Sequence, residues 1–303
     1  MIWGYLIHLS YNMWNDREVP PPSVPRLSAK PYLRFDDKFW EKLVPAMKDA
    51  GVNLVVLDLG DGVEYASHPE IAVQNAWSVD RLRKEIKRLR SVGIEPIPKL
   101  NFSATHDVWL GPYARRVSTS EYYAVCQDLI EECIQIFETP RFFHLGMDEE
   151  AAEHQRFCEY VVVRQYDLWW HDCLFLINTV IKQGVRPWVW ADYCWRHREE
   201  YIAKMPSSVL QSNWWYDEIL DADRDEVKAY LWLAKAGFDQ VPTTSNYNHP
   251  DNFIATLRFV QENLSKQHIV GFLHTVWKPT QFEYETDHKE ALRQIARART
   301  FWE

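Results

Sequence analysis

Several ingredients that mark common protein classes are missing from this chain. No run of about 18 apolar residues occurs, so no membrane-spanning helix is expected. Cysteine is scarce and unpatterned: Cys126, Cys133, Cys158, Cys173 and Cys194 are odd in number, lie on expected helices or strands and form no CxxC pair. They read as reduced, buried thiols, which excludes a disulfide framework and a cysteine zinc site. Positive charge is in deficit, with a formal net charge of -9, so a nucleic-acid partner is not expected. No expected strand ends in a glycine-rich turn, which argues against a nucleotide or phosphosugar cofactor. HxH and HExxH pairings are absent too, so no metal site is expected. The opening Met-Ile-Trp-Gly-Tyr-Leu-Ile-His is too short and too uncharged for a signal peptide and reads as a first strand. The chain as it stands fits a cytoplasmic location, or a secreted or periplasmic one if a leader precedes it; oligomeric state is not legible.

What the chain has in excess is aromatic residues, with Trp 15, Tyr 15 and Phe 14. Flat apolar rings with a polar edge are what pyranose faces stack on, although any single Trp is equally at home in a core. The hydrophobic content of 47% supports a large core. Short apolar runs alternate with helical patterns along the whole length. Expected strands cover 2–9, 53–59, 96–102, 142–147, 187–191, 209–215, 240–246 and 269–277. Expected helices cover 36–50, 78–92 (Ser78 as N-cap, Gly93 as stop), 118–137, 159–183, 223–236, 251–264 and 285–302. A proline cluster at Pro20, Pro21, Pro22 and Pro25 forbids a regular element after the first strand. Near-continuous hydrophobic strands such as Asn53–Leu59 suit a parallel sheet covered on both faces. Eight strands interleaved with seven helices, without a composition break, predict a single (β/α)8 barrel over residues 1–303, with no accessory domain.

The chain is organised around Phe142-Phe143-His144-Leu145-Gly146-Met147-Asp148-Glu149-Glu150. An aromatic strand ends abruptly in three carboxylates, as catalytic groups are presented at the carboxyl ends of barrel strands. Three adjacent anions repel, so at least one pKa should rise, which suits a general acid. The plainer alternative is an acidic helix N-terminus favoured by the helix dipole. The other strand ends supply His8 and Asn12, Asp58 and Asp61, Asn101 and His106, Trp190 and Asp192, Trp214 to Tyr216, Asn246 and Tyr247, and Trp277 and Lys278. Carboxylates inside an aromatic wall are the outfit of a glycoside hydrolase. The usual second carboxylate at strand seven is absent: that strand ends Thr243-Thr244-Ser245-Asn246-Tyr247, so the nucleophile must come from elsewhere, including from the substrate.

His144-Leu145-Gly146-Met147-Asp148-Glu149 resembles the H-x-G-x-D-E strand-four motif of glycoside hydrolase family 20, the β-N-acetylhexosaminidases. Trp190-Ala191-Asp192, Trp214-Trp215, Asn246-Tyr247 and Trp277 are similar to that family's strand ends five to eight, so the likeness spans essentially the whole chain. The resemblance implies removal of a β-linked N-acetylhexosamine by retaining, substrate-assisted catalysis through an oxazolinium intermediate. Glu149 is then the acid and base, Asp148 orients the substrate's 2-acetamido N–H, and Tyr247 donates to the acetamido oxygen. Trp190, Trp214 and Trp277 wall the pocket, and His106, Asp192, Trp215, Asn246 and Asn101 are further substrate-binding candidates. Departures fall where sugar hydroxyls are read: Arg17 is the only arginine of the first loop near a usual strand-one position, Asn101 stands for an Asp, and Lys278 with Glu283 beyond it replaces a Glu after Trp277.

Two other readings remain. One is a glycosidase of another barrel family, with Glu149 or Glu150 as acid and Asp192 or Asp58 as partner. The other is a silent barrel that binds carbohydrate through its tryptophans. Asp58 is equally explained as a core carboxylate paired with Lys99, and His144 as a structural residue satisfied by a backbone carbonyl. Adjacent strand residues point to opposite faces, so Asp148 and Glu149 share a site only if the chain bends there.

Overall fold

Period-two alternation decides which side chains fill the centre of the sheet and which face the helices. In the computed structural model, which describes residues 1–19 and 24–302, eight parallel strands form the main sheet. They are β1 (Ile2–His8), β2 (Leu54–Asp58), β3 (Glu95–Lys99), β4 (Phe142–His144), β5 (Arg186–Trp190), β6 (Leu210–Ser212), β7 (Thr243–Ser245) and β8 (Gly271–Thr275). The spatial order is 6-5-4-3-2-1-8-7. Bridges Gln211–Gln240 and Trp214–Thr243 then join β6 to β7 and close the barrel. Pro20, Pro21 and Pro22 of the proline cluster lie outside the described residues.

The inner face is a separate apolar cluster that includes Leu6, Val56, Ile97, Phe142, Trp188, Trp190, Leu210, Val241 and Leu273. The outer face of the strands, among them Tyr5, Val55, Leu57, Phe143 and Val189, packs under the helices in the larger core. This two-shell arrangement is the packed interior of a (β/α)8 barrel.

The helices begin where the sequence supplies caps. Asp36 accepts from the backbone N–H groups of Lys38 and Phe39 at the start of α1 (Asp37–Asp49), and Ser78 accepts from Arg81 at the start of α2 (Val79–Ser91). Thr119 caps α3 (Ser120–Ile136). The fourth helix is shorter than its sequence pattern: α4 spans Tyr166–Lys182, not residues 159–183. Its expected first turn is diverted because the Gln155 side chain takes both backbone groups of Val162, and the Arg164 N–H donates to Glu150. Two short helices that the sequence pattern did not reveal, α5 (Tyr193–Arg196) and α6 (Arg198–Lys204), follow β5. Then come α7 (Asp225–Lys235), α8 (Asn252–Asn263) and α9 (Glu285–Trp302). A two-residue parallel pair, Val63–Glu64 with Trp77–Ser78, decorates the loop after β2.

All five cysteines are free and buried, but Cys158 sits in the loop after β4 rather than on a regular element. No helix among the described residues is long and apolar enough to cross a membrane.

Candidate active site

Below the mouth of the barrel lies a polar layer set by register. His8, Asp58, Lys99 and His144 are paired neighbours across β1 to β4. Lys99 Nζ is 2.7 Å from Asp58 Oδ2, and His8 Nδ1 is 3.1 Å from the same oxygen. Burial would push Asp58 up, but Lys99 and His8 hold it below its ordinary value, so it is a paired core anion. His144 is buried and neutral, driven well below its usual pKa by desolvation and then by Lys99. Its Nδ1 accepts from the Gly146 backbone N–H at 3.1 Å, so its partner is a donor and not the carbonyl expected. Asp61, raised to about 6 by burial, is tied to Ser10 and Asn12, which joins the ends of β1 and β2 rather than serving the pocket.

Above this layer the chain after β4 does bend. Gly146 (φ 73°), Met147 (φ 75°) and Glu149 (φ 54°) are all left-handed. Each non-glycine residue held there costs roughly 1–2 kcal/mol, so the surroundings must impose it. Asn101 Nδ2 donates to Asp148 Oδ1 at 2.8 Å while its Oδ1 accepts from the Met147 N–H at 3.2 Å. Thr105 Oγ1 donates to the Glu149 carbonyl at 2.8 Å, and the Glu149 N–H donates to Asp192 Oδ2 at 2.8 Å. No helix N-terminus follows the acids; a turn and the single 3-10 turn Ala152–Gln155 do. The bend turns Asp148 and Glu149, neighbours in sequence, into one cavity of about 610 Å3.

The third carboxylate goes the other way. Glu150 is buried and ion-paired to Arg164 at 2.7 Å, and Arg164 continues to Asp172 at 3.0 Å. Glu150 and Asp58 are thus both occupied structurally and are withdrawn as catalytic partners.

His106 is buried between the two acids, with Nε2 at 3.3 Å from Glu149 Oε2 and 3.5 Å from Asp148 Oδ2. Desolvation opposes its charge, but the two carboxylates outweigh it and raise its pKa. Glu149 answers in the opposite sense: burial works upward, yet His106, then His154, hold it below the ordinary carboxylate value. The raised pKa belongs to Asp148, through burial and the Glu149 charge, and to Asp192, which burial and then Asp148 bring to about 8. One of the three adjacent acids thus has the raised pKa that their repulsion predicts, and it is Asp148, while His106 draws Glu149 the other way. His106, Asp148 and Glu149 also place three donor atoms within 4.8 Å of one another, a spacing that can hold a metal ion. His154, with Nδ1 3.5 Å from Glu149 on the solvent side, was not singled out by sequence.

The walls are aromatic. Trp190, Trp214 and Trp277 line the cavity, with Tyr11, Trp14 and Tyr216 beside them. Trp14 meets His106 edge-on at 4.7 Å, and Tyr216 stacks on Trp214 at 5.0 Å. The indole N–H groups of Trp14, Trp190 and Trp277 are buried without hydrogen-bond partners among the described residues, a set of spare donors around an apolar pocket.

Several expected residues do not reach it. Trp215 turns outward to pack on the core, with the Arg224 guanidinium 4.2 Å over its ring. Asn246 turns to the last helix and donates to the Asp287 carbonyl at 2.9 Å. Both follow from parity: Leu210, Ser212 and Trp214 point inward on β6, and Ser245 on β7, so the next residue faces out. Asn101 acts from behind Asp148, and Asp192 from behind Glu149; neither lines the cavity. Tyr247 stands at the rim, 53% exposed, with its hydroxyl unbonded to either acid. The tyrosine beside the acids is Tyr216, whose pKa burial raises well above normal, helped by Asp148 and Glu149. Tyr216 was among the strand ends; parity along β6 was the signal that sets it apart from Trp215. Arg17 binds the Phe157 and Cys158 carbonyls outside the cavity; the arginine of the first loop that lines it is Arg26.

No protein-family model matches the chain, and no curated protein does. Solved structures do share its fold. Dispersin B superposes with a TM-score of 0.59 at 14% identity, over 87% of this chain and 95% of that one. A family GH20 exo-β-N-acetylglucosaminidase from Vibrio harveyi, solved with N-acetylglucosamine, gives 0.63 at 14% identity, over 99% of this chain and 56% of that one. A Streptomyces plicatus β-hexosaminidase in complex with GlcNAc gives 0.66 at 11% identity, over 97% of this chain and 63% of that one. The chain thus spans a little over half the length of the latter two enzymes. At these identities the likeness is one of fold: the (β/α)8 barrel of the glycoside hydrolase family 20 structures.

Proposed function

We propose that this barrel is a retaining glycoside hydrolase that removes a terminal β-linked N-acetylhexosamine by substrate-assisted catalysis. The observation that carries this reading is the left-handed turn that sends both Asp148 and Glu149 into one aromatic cavity whose lining includes no carboxylate from the β7 end. A retaining glycosidase with two carboxylates needs a nucleophile across the sugar from its acid. With none there, the 2-acetamido oxygen of the substrate serves. It attacks the anomeric carbon as the glycosidic bond breaks, the leaving oxygen takes a proton from Glu149, and an oxazolinium forms. Glu149, now anionic, removes a proton from water, which opens the ring with net retention.

Asp148 holds the acetamido N–H and Tyr216 donates to the acetamido oxygen, the role that the resemblance had given to Tyr247. A bound acetamido sugar acts against both shifts. An N–H donated to Asp148 favours its anion, while a sugar stacked over Glu149 removes water and favours its neutral form. His106 is the adjacent store from which Glu149 takes its proton. The spare indole donors match the acceptor oxygens of sugar hydroxyls. A carbohydrate is therefore the partner; the chemistry calls for no cofactor.

The test is hydrolysis of aryl β-glycosides, with the N-acetylglucosaminide and N-acetylgalactosaminide set against the glucoside and galactoside. Activity confined to the acetamido pair and blocked by a thiazoline mimic of the oxazolinium is expected. Turnover of the plain glycosides would overturn the substrate-assisted mechanism. A chelator is expected to leave the rate unchanged; loss of activity would mean that His106, Asp148 and Glu149 hold a metal.

A further inference from the structure

His106, Asp148 and Glu149 converge as ligands of a single ion do. Each offers one atom, and the three atoms lie within 4.8 Å of one another. Nε2 of His106 is 3.3 Å from Glu149 Oε2 and 3.5 Å from Asp148 Oδ2. Ligand atoms about 2.0–2.2 Å from a tetrahedral ion are separated by roughly 3.3–3.6 Å, so both spacings are those of tetrahedral edges. His106 is 1% exposed, yet neither of its ring nitrogens has a hydrogen-bond partner among the described residues. A hydrogen bond aims its donor at its acceptor, whereas coordinating groups aim at a shared centre between them. The His106 ring therefore meets both carboxylates without being aligned on either. Asn101 occupies Asp148 Oδ1 at 2.8 Å, which leaves Oδ2, the atom that meets His106, for a ligand bond. It also fixes the carboxylate in the way outer partners fix metal ligands.

His154 adds a second imidazole. It lies on the solvent side of the acids, with Nδ1 3.5 Å from the same Glu149 Oε2 and a side chain 40% exposed. It stands outside the tight triangle, but at one tetrahedral edge from Glu149 it is placed to take the fourth position. His106 comes from the loop after β3 and the other three from the segment after β4, so no HxH or HExxH pairing could announce the set. Two imidazoles and two carboxylates in a tetrahedral frame suit zinc and the neighbouring late transition ions. Calcium and magnesium ask for six oxygens or more.

We propose that this cluster binds a divalent transition ion of the zinc kind, and that the ion reversibly blocks the glycosidase. The ion is an inhibitor and not a cofactor. It takes the Glu149 oxygen that carries the proton and the Asp148 carboxylate that receives the acetamido N–H. The blocking rests on the glycosidase reading above and adds a regulation to that site; the binding stands on the cluster alone.

The experiment starts from untagged protein stripped with a chelator. Zinc chloride is titrated in by calorimetry, and cobalt(II) chloride by visible absorption. Zinc is then added to the hydrolysis of a nitrophenyl β-N-acetylhexosaminide. One zinc ion per chain is expected, with cobalt giving the intense visible bands of tetrahedral coordination. Saturating zinc should remove most of the hydrolysis, and excess chelator should restore it. His106→Gln should weaken zinc binding by about a hundredfold, at or above the effect of losing an outer partner, and His154→Gln by a smaller factor. Glu149→Gln, a near-isosteric change, reads the same binding should His106→Gln not fold. No binding, or binding of full strength in either His106→Gln or Glu149→Gln, overturns the inference. A rate that rises with zinc overturns it too, and the substrate-assisted mechanism with it. Zinc binding in a protein that turns over no glycoside removes the glycosidase reading and with it the blocking, whereas full turnover with zinc bound removes this inference alone.

Discussion

The backbone N–H of Glu149 donates to Asp192 Oδ2 at 2.8 Å, so a carboxylate at the end of β5 holds the left-handed residue at the end of β4. The other oxygen of Asp192 is buried with no partner among the described residues, and the group titrates near 8 because burial and then Asp148 disfavour its anion. Asp192 is therefore mostly neutral at pH 7. Its native pKa lies above the unfolded value of about 4. The native state holds the proton longer, so the stability that this group adds is fully present below about pH 4 and is lost as pH rises towards 8. Asp192→Asn keeps an acceptor for the Glu149 N–H and cannot ionise. Its melting temperature should exceed that of the parent at pH above 8 by several degrees, and the difference should vanish near pH 4. A difference independent of pH would refute the neutral-acid assignment.

Gly146 shows how tightly the turn is made. A Cβ there would stand 2.0 Å from Asn101 Oδ1, and the φ of 73° disfavours any side chain. Gly146→Ala must displace Asn101, which holds both Asp148 and the Met147 N–H. The strain alone is roughly 1–3 kcal/mol. We expect lower stability in urea and a loss of about a hundredfold or more in kcat, with Asn101→Ala giving a similar kinetic loss at smaller cost to stability. A Gly146→Ala protein with normal kcat would show that the Asn101 clamp is not needed.

The alternation of eight strands was legible because parallel strands buried on both faces write themselves as short hydrophobic runs. Asp148 and Glu149 were legible as a pair of acids after such a run. That they share one pocket was not, because the bend depends on contacts from Asn101, Thr105 and Asp192, far away in the chain. Trp215 and Asn246 were misplaced because each lies one step beyond an inward residue, Trp214 or Ser245, and so turns outward; a step of two from Trp214 points Tyr216 inward. Trp14 comes from a loop, and Arg26 and His154 from single 3-10 turns within loops, whose paths no periodicity encodes. The late start of α4 was hidden too, since the Glu150–Arg164 pair and the Gln155–Val162 hydrogen bonds are tertiary.

The two acids should separate by kinetics. Glu149→Gln removes the proton donor, so turnover should fall far more for poor leaving groups than for activated aryl ones, by about a hundredfold or more for the former. Asp148→Asn keeps the size but not the charge that holds the acetamido N–H, and should lower the rate on all acetamido substrates whatever the leaving group. A leaving-group dependence identical in the two variants would erase the division of roles.

His106 makes the sharper claim about pH. Its charge is sustained by Asp148 and Glu149, and it in turn holds Glu149 low. In the parent, the proton that Glu149 delivers is shared with an imidazole whose pKa is raised, so kcat/KM should fall on the alkaline side only when that imidazole is lost as a donor. In His106→Gln the proton depends on Glu149 alone. The Glu149 pKa rises once the cation is gone, because burial is then opposed only by His154. The group that sets the alkaline limb changes from an imidazole to a carboxyl, so that limb should move, with the acid limb less affected. His106→Gln with an unshifted alkaline limb would place the proton store elsewhere, and His154→Gln would be the next variant to measure.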